Sequence, residues 1–165
     1  MFERDIISQL AAWKTDTNRK PLVVHGARQV GKTWTLKYFG REYFDDVAYF
    51  SLDKDESGLC DVFRTTKDPQ RIIQHLSFLH GKKIEPQTTL LILDEIQECN
   101  EALNALKYFC EEAPEYAVAC AGSLLGIYLN HVGKSFPVGK VNHLYMYPLT
   151  FTEFLRTKDP VMHEY

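Results

Sequence analysis

The residues most able to do chemistry form one uninterrupted run, Gly26-Ala27-Arg28-Gln29-Val30-Gly31-Lys32-Thr33, which satisfies G-x-x-x-x-G-K-[ST] without a mismatch. Such a run serves polyphosphate capture. Gly26 and Gly31 permit a backbone path in which successive N–H groups turn inward, and a helix N-terminus behind them adds to a fixed positive cradle. Lys32 is then expected to reach the β- and γ-phosphates and the Thr33 hydroxyl to hold Mg²⁺. Arg28 and Gln29 lie in the tolerant interior of the loop, where they either join the cradle or face solvent. The run predicts ATP and Mg²⁺ as ligands; no N-K-x-D guanine signature occurs in the sequence.

A second candidate group closes an apolar run: Leu90-Leu91-Ile92-Leu93-Asp94-Glu95 ends in two adjacent carboxylates. Acids at the end of a core strand call for a nearby cation. On its own the pair would suit the start of a solvated loop; behind a phosphate loop, Asp94 reads as a metal ligand and Glu95 as the residue that orients and activates an attacking water. Lys32 and Asp94 are 62 residues apart, with the strand candidate Val47–Leu52 between them. That spacing, with a glutamate after the metal aspartate, indicates the additional-strand, catalytic-glutamate branch of P-loop enzymes. Ser123 follows another apolar run, Val118–Ala121, and has two readings: a sensor beside the γ-phosphate, or the N-cap of a helix over Leu124–Leu129.

The elements that must position these groups are legible in outline. Phe2, Ile6, Ile7, Leu10 and Trp13 recur at helical spacing and predict a helix over 2–14. Strands are expected at Leu22–His25, Val47–Leu52, Leu90–Leu93, Ala117–Ala121 and Val141–Met146, most of them apolar enough to be covered on both faces. Helices are expected from Thr33 to Phe39, from the Asp68 cap and Pro69 to Gly81, and from Asn100 until Pro114 stops it. Strand and helix in alternation imply parallel crossovers and a three-layer α/β sheet. Thr150 and Glu153 make a capping box for one more helix near the end of the chain. The expected division is a P-loop domain over 1–149 and the start of a helical lid or C-terminal region over 150–165.

Bulk properties narrow the setting. The chain has 165 residues and a formal charge of -3, so its charge does not imply a nucleic acid partner. Cys60, Cys99, Cys110 and Cys120 are separated by 39, 11 and 10 residues, which matches neither a zinc knuckle nor a redox pair. Free, mostly buried thiols are therefore expected, with no Cys/His metal cluster. Glu3, Arg4 and Asp5 do not resemble a signal peptide, and no stretch approaches a membrane span, so a soluble cytoplasmic protein without membrane contact is expected.

With these residues placed, the chain resembles the ATPase half of a bacterial and archaeal family, AAA_14, in which an AAA-type P-loop domain precedes a C-terminal domain known as DUF4143. The likeness runs through RKPLVVHGARQVGKT, LLILDEIQE, CEEAPEYAVACAGSLLG, FPVGKV and YPLTFTEFL, and covers nearly the whole chain. It implies a five-stranded parallel sheet of order 5-1-4-3-2, Gly26–Thr33 as nucleotide loop, Asp94 and Glu95 as metal and catalytic acids, and Ser123 as sensor. It also implies Mg-dependent ATP hydrolysis coupled to the C-terminal domain, and homo-oligomerisation. Where many members carry arginine this chain has Lys140, which either approaches phosphate or simply begins the fifth strand; lysine cannot make arginine's planar bidentate contact. A nucleotide-gated switch with little turnover and a nucleic-acid-associated ATPase are the alternative functions.

Overall fold

The computed structural model describes residues 5–53, 58–123 and 137–158. Along the chain run α1 (Ile6–Thr15), β1 (Leu22–His25), α2 (Lys32–Tyr43), β2 (Asp46–Ser51), α3 (Leu59–Thr65), α4 (Pro69–His80), β3 (Thr89–Asp94), a 3-10 turn (Ile96–Glu98), α5 (Asn100–Glu112), β4 (Ala117–Gly122), β5 (Asn142–Tyr145) and α6 (Phe151–Lys158). The five strands form one parallel sheet of order β2-β3-β4-β1-β5, which is 5-1-4-3-2 read from the other edge.

Apolar side chains leave the sheet on both faces, so two cores form. One packs α3, α4 and α5 against Val23, Leu91, Leu93 and Val118. The other packs α1 and α2 against Leu22, Val24, Leu90, Ile92 and Ala119. Fully buried side chains such as Phe39, Phe63 and Phe109 each contribute about 1.5–3 kcal/mol from removal of apolar surface from water. Burial of β1, β3 and β4 is complete, as their apolar runs predict. β2 and β5 depart from that expectation. As edge strands they have one neighbour each, and β5 alternates between half-buried and exposed residues.

Local signals act as read. Asp68 accepts a hydrogen bond from Gln70 N at 3.0 Å, Pro69 occupies the first turn, and Gly81 closes α4 in the left-handed region at φ 78°. Glu153 N donates to Thr150 Oγ1 at 3.1 Å and Thr150 N to Glu153 Oε2 at 2.9 Å, which completes the capping box. The other Glu153 oxygen accepts from Asp5 N at 3.0 Å and ties α6 to the start of α1. Helix α3 escaped the sequence reading because seven residues with Leu59, Cys60 and Phe63 buried hold too little periodicity. The helix expected at Leu124–Leu129 lies outside the described residues.

The cysteines require a correction. Cys60 and Cys99 form a disulfide, with Cα atoms 5.9 Å apart, while Cys110 and Cys120 are free. Their separation of 39 residues gave no hint, because α3 meets the turn after β3 only through the tertiary packing. Both sulfurs lie 3.7 Å from Glu101 Oε2, a grouping of ligand-type atoms that the sequence did not suggest.

Candidate nucleotide site

Parallel strands bring their C-terminal ends to one edge, where three of the predicted groups meet. His25 of β1 pairs in register with Gly122 of β4, and Leu93 of β3 with Cys120, so the phosphate loop, Asp94 and Ser123 emerge side by side. Ligands in open α/β sheets bind along that edge. Gly26 must lack a side chain there: a Cβ would stand 2.5 Å from the Met146 carbonyl oxygen. Gly31 lies at φ 92°, a left-handed conformation that glycine adopts without strain, and accepts from Thr35 N at 2.9 Å as α2 begins. Val30 is buried and pins the loop to the core, whereas Ala27, Arg28 and Gln29 are exposed.

Lys32 is buried, and its ammonium donates to the carbonyls of Gly26 at 2.8 Å and Ala27 at 2.6 Å. Burial pulls its pKa down, opposed by Glu95 and Asp94 and assisted by Arg28, with a net lowering. Thr33 Oγ1 donates to Asp94 Oδ2 at 2.6 Å, so the two acidic and basic motifs of the sequence are in direct contact. Asp94 is the last residue of β3 and is itself buried. Its Oδ1 accepts from Glu95 N at 2.9 Å.

Glu95 occupies the left-handed region at φ 51°. For a non-glycine residue that costs about 1–3 kcal/mol, a strain found where side-chain direction matters. Gln97 donates to Glu95 Oε2 and fixes the carboxylate. Two oxygen types, a hydroxyl and a carboxylate held 2.6 Å apart, suit a small hard cation such as Mg²⁺. The adjoining cleft, about 470 Å³, is lined by Arg28, Lys32 and Thr33 together with Asp53, Glu95 and Glu98. Phosphate oxygens and a metal ion would both find complementary charge in it.

Several residues of this site were missed in the sequence, two of them bonded to its acids. Tyr49 of β2 donates its hydroxyl to Asp94 Oδ2 at 2.6 Å; burial, that bond and the Asp94 charge push its pKa up. Gln97 is buried within the turn after β3. For Gln97 the available signal was a third polar residue just after the Asp94-Glu95 pair that ends an apolar strand, while Tyr49 needed the strand order. Trp34, next after Thr33, also lines the cleft, half-exposed and stacked on Tyr38.

Lys140 is not brought to this chain's phosphate loop. It precedes β5, whose first residue Asn142 pairs with Leu22 at the start of β1, the end of the sheet opposite Gly26. Lys20 Nζ donates to Gly139 O at 2.9 Å, and Lys140 Nζ lies 3.2 Å from Glu111 Oε1. A phosphate contact of Lys140 within its own chain is thereby corrected. Ser123 stands at the end of β4, between the strands that carry the loop and Asp94. Among the described residues, no helix is long and apolar enough to cross a membrane.

A family model described as an AAA domain matches residues 18–155. Among solved structures, Drosophila ORC bound to AT-rich DNA and Cdc6 aligns with a TM-score of 0.54 at 14% identity, covering 98% of this chain and 61% of that one. AMPPCP-bound DnaA from Aquifex aeolicus aligns at 0.48 and 14% identity, over 98% of this chain and 50% of its own. PCH-2 of C. elegans aligns at 0.46 and 13% identity, over 86% and 41%. This chain thus spans less than two thirds of each of them, and the ORC likeness bears on the fold alone. A search of curated proteins gave no match.

Proposed function

The chain belongs to the AAA-domain family, whose model spans residues 18–155, and on that premise we propose that it binds ATP with Mg²⁺ through Gly26–Thr33 and Asp94 and hydrolyses it with Glu95. The family and fold make it a nucleotide-binding domain of ATPase type. The observation that carries the finer reading is the contact between Thr33 Oγ1 and Asp94 Oδ2 at 2.6 Å. Two motifs far apart in sequence converge on one point beside a buried lysine, and phosphoryl transfer needs such a point: a cation clamp next to a phosphate cradle.

In this reading the loop amides and Lys32 bind the polyphosphate, and Thr33 and Asp94 hold the ion. When bound, the ion would supply neutralisation of charge across the β- and γ-phosphate oxygens. Glu95, set in place by its backbone conformation and by Gln97, orients the attacking water and takes its proton. Ser123 stands as the sensor residue because it follows β4 at the same edge. The resemblance of Tyr147–Leu155 to the family's passage toward DUF4143 supports coupling of hydrolysis to motion of a C-terminal domain, and Lys140, at the end of the sheet away from its own loop, would serve a second copy of the chain.

The test is Glu95→Gln. The variant should bind ATP as the wild type does while steady-state turnover drops by about 10²–10⁴, the usual contribution of a positioned general base. Unchanged turnover would remove Glu95 from the chemistry.

A further inference from the structure

Asp94 can serve a metal ion only if its carboxylate points the same way each time, and the strand beside it supplies the means. Tyr49 pairs with Ile92 in the β2–β3 register, so it shares a sheet face with Ile92 and, two residues further along, with Asp94. From there its hydroxyl reaches Asp94 Oδ2 at 2.6 Å. The same oxygen accepts from Thr33 Oγ1 at 2.6 Å, and Oδ1 accepts from Glu95 N at 2.9 Å. Three donors from three elements, α2, β2 and the turn after β3, leave the carboxylate one orientation.

The tyrosine is fixed in its turn. Its ring packs against the apolar cluster under α1 and α2, and Lys37 Nζ of α2 stands 3.8 Å from the ring centroid, a cation–π contact. Neither restraint depends on the hydroxyl. The ring can therefore be kept while the one donor is removed.

We propose that Tyr49 is a positioning residue for the metal aspartate, holding Asp94 in the rotamer that receives Mg²⁺ together with Thr33; this rests on the Mg-ATP reading of the site. The Tyr49 hydroxyl meets Asp94 and Ser51, neither the phosphate loop nor Glu95, and acts on the metal through Asp94. Its removal should weaken the metal's hold while leaving the loop's grip on nucleotide intact, because Lys32 and the loop amides form a separate set of contacts.

The experiment compares the full chain and Tyr49→Phe, using a fluorescent ATP analogue titrated in excess EDTA and then with Mg²⁺ titrated at fixed analogue. Expected are metal-free affinities within about twofold of each other and a Mg²⁺ half-saturation raised about tenfold in the variant, the scale of losing one hydrogen bond to a charged group. Equal Mg²⁺ half-saturation in the two proteins would overturn the proposal, and so would a metal-free affinity that falls as far as the metal-dependent one, since that would make Tyr49 a support of the whole loop. A wild type that binds the analogue in neither condition would overturn the nucleotide reading itself, and this inference with it.

Discussion

Replacing His25 with glutamine should flatten the dependence of stability on pH between about 6.5 and 4, the interval bounded by the ordinary and folded pKa values of this histidine. His25 is buried at the end of β1, next to the phosphate loop. Its Nε2 lies 2.8 Å from His143 Nδ1, its ring stacks on those of His143 and Tyr145, and its Nδ1 has no hydrogen-bond partner among the described residues. Burial, and then the neighbouring His143, lower its pKa from 6.5 to about 4. Between those values the unfolded chain takes up a proton that the folded chain refuses, so stability falls as pH drops through the interval and is regained as pH rises.

The gap between 6.5 and about 4, at about 1.4 kcal/mol for each pH unit, sets an upper bound of about 3.5 kcal/mol, which solvent screening of the pair reduces. That is a large share of a domain's usual 5–15 kcal/mol. Glutamine can keep a donor toward His143 Nδ1 but cannot titrate. His143 is itself lowered by burial, so a weaker slope of the same sign should persist in the variant. At Asp46 burial pushes the carboxyl up, but bonds from His80 and Val47 N–H, with Lys82, outweigh it and hold the pKa below 3.8, so its contribution is lost only below this window. Urea unfolding at half-unit pH steps gives the slopes. Identical slopes for wild type and His25→Gln, whatever their absolute stabilities, would refute the account of this buried pair.

Two further outcomes follow from the geometry. Gly26→Ala places a Cβ 2.5 Å from the Met146 carbonyl, and should lower denaturant stability by about 1–3 kcal/mol; a variant as stable as wild type would mean that this approach is loose. Lys140→Ala should leave ATP affinity of the isolated chain within about twofold of wild type, because Lys140 lies at the far end of the sheet beside Glu111; a large loss in calorimetry would contradict that placement.

Much of the site was legible because its parts are local. The loop Gly26–Thr33 and the pair Asp94-Glu95 are contiguous motifs, and the strands that carry them are short apolar runs that periodicity locates to within a residue. What escaped was set by tertiary neighbours. The contact of Tyr49 with Asp94 depends on β2 lying beside β3, and the Cys60–Cys99 bond depends on α3 packing against the turn after β3. The position of Lys140 depends on register: FPVGKV precedes a strand parallel to β1, which sends position 140 to the end away from the loop. Strand order came from the family resemblance, since alternation alone fixes faces and not neighbours.

The central claim is that Gly26–Thr33 binds nucleotide, and calorimetric titration of Mg-ATP into wild type and Lys32→Ala tests it most directly. Lys32 is buried and aimed along the loop carbonyls of Gly26 and Ala27, so its loss should weaken binding roughly a hundredfold, the scale of about 2–3 kcal/mol for charge-assisted bonds. One saturable site in the wild type, and that loss in a variant with unchanged circular dichroism, is the predicted result. Equal affinity in both proteins, or no binding by the wild type, would contradict it.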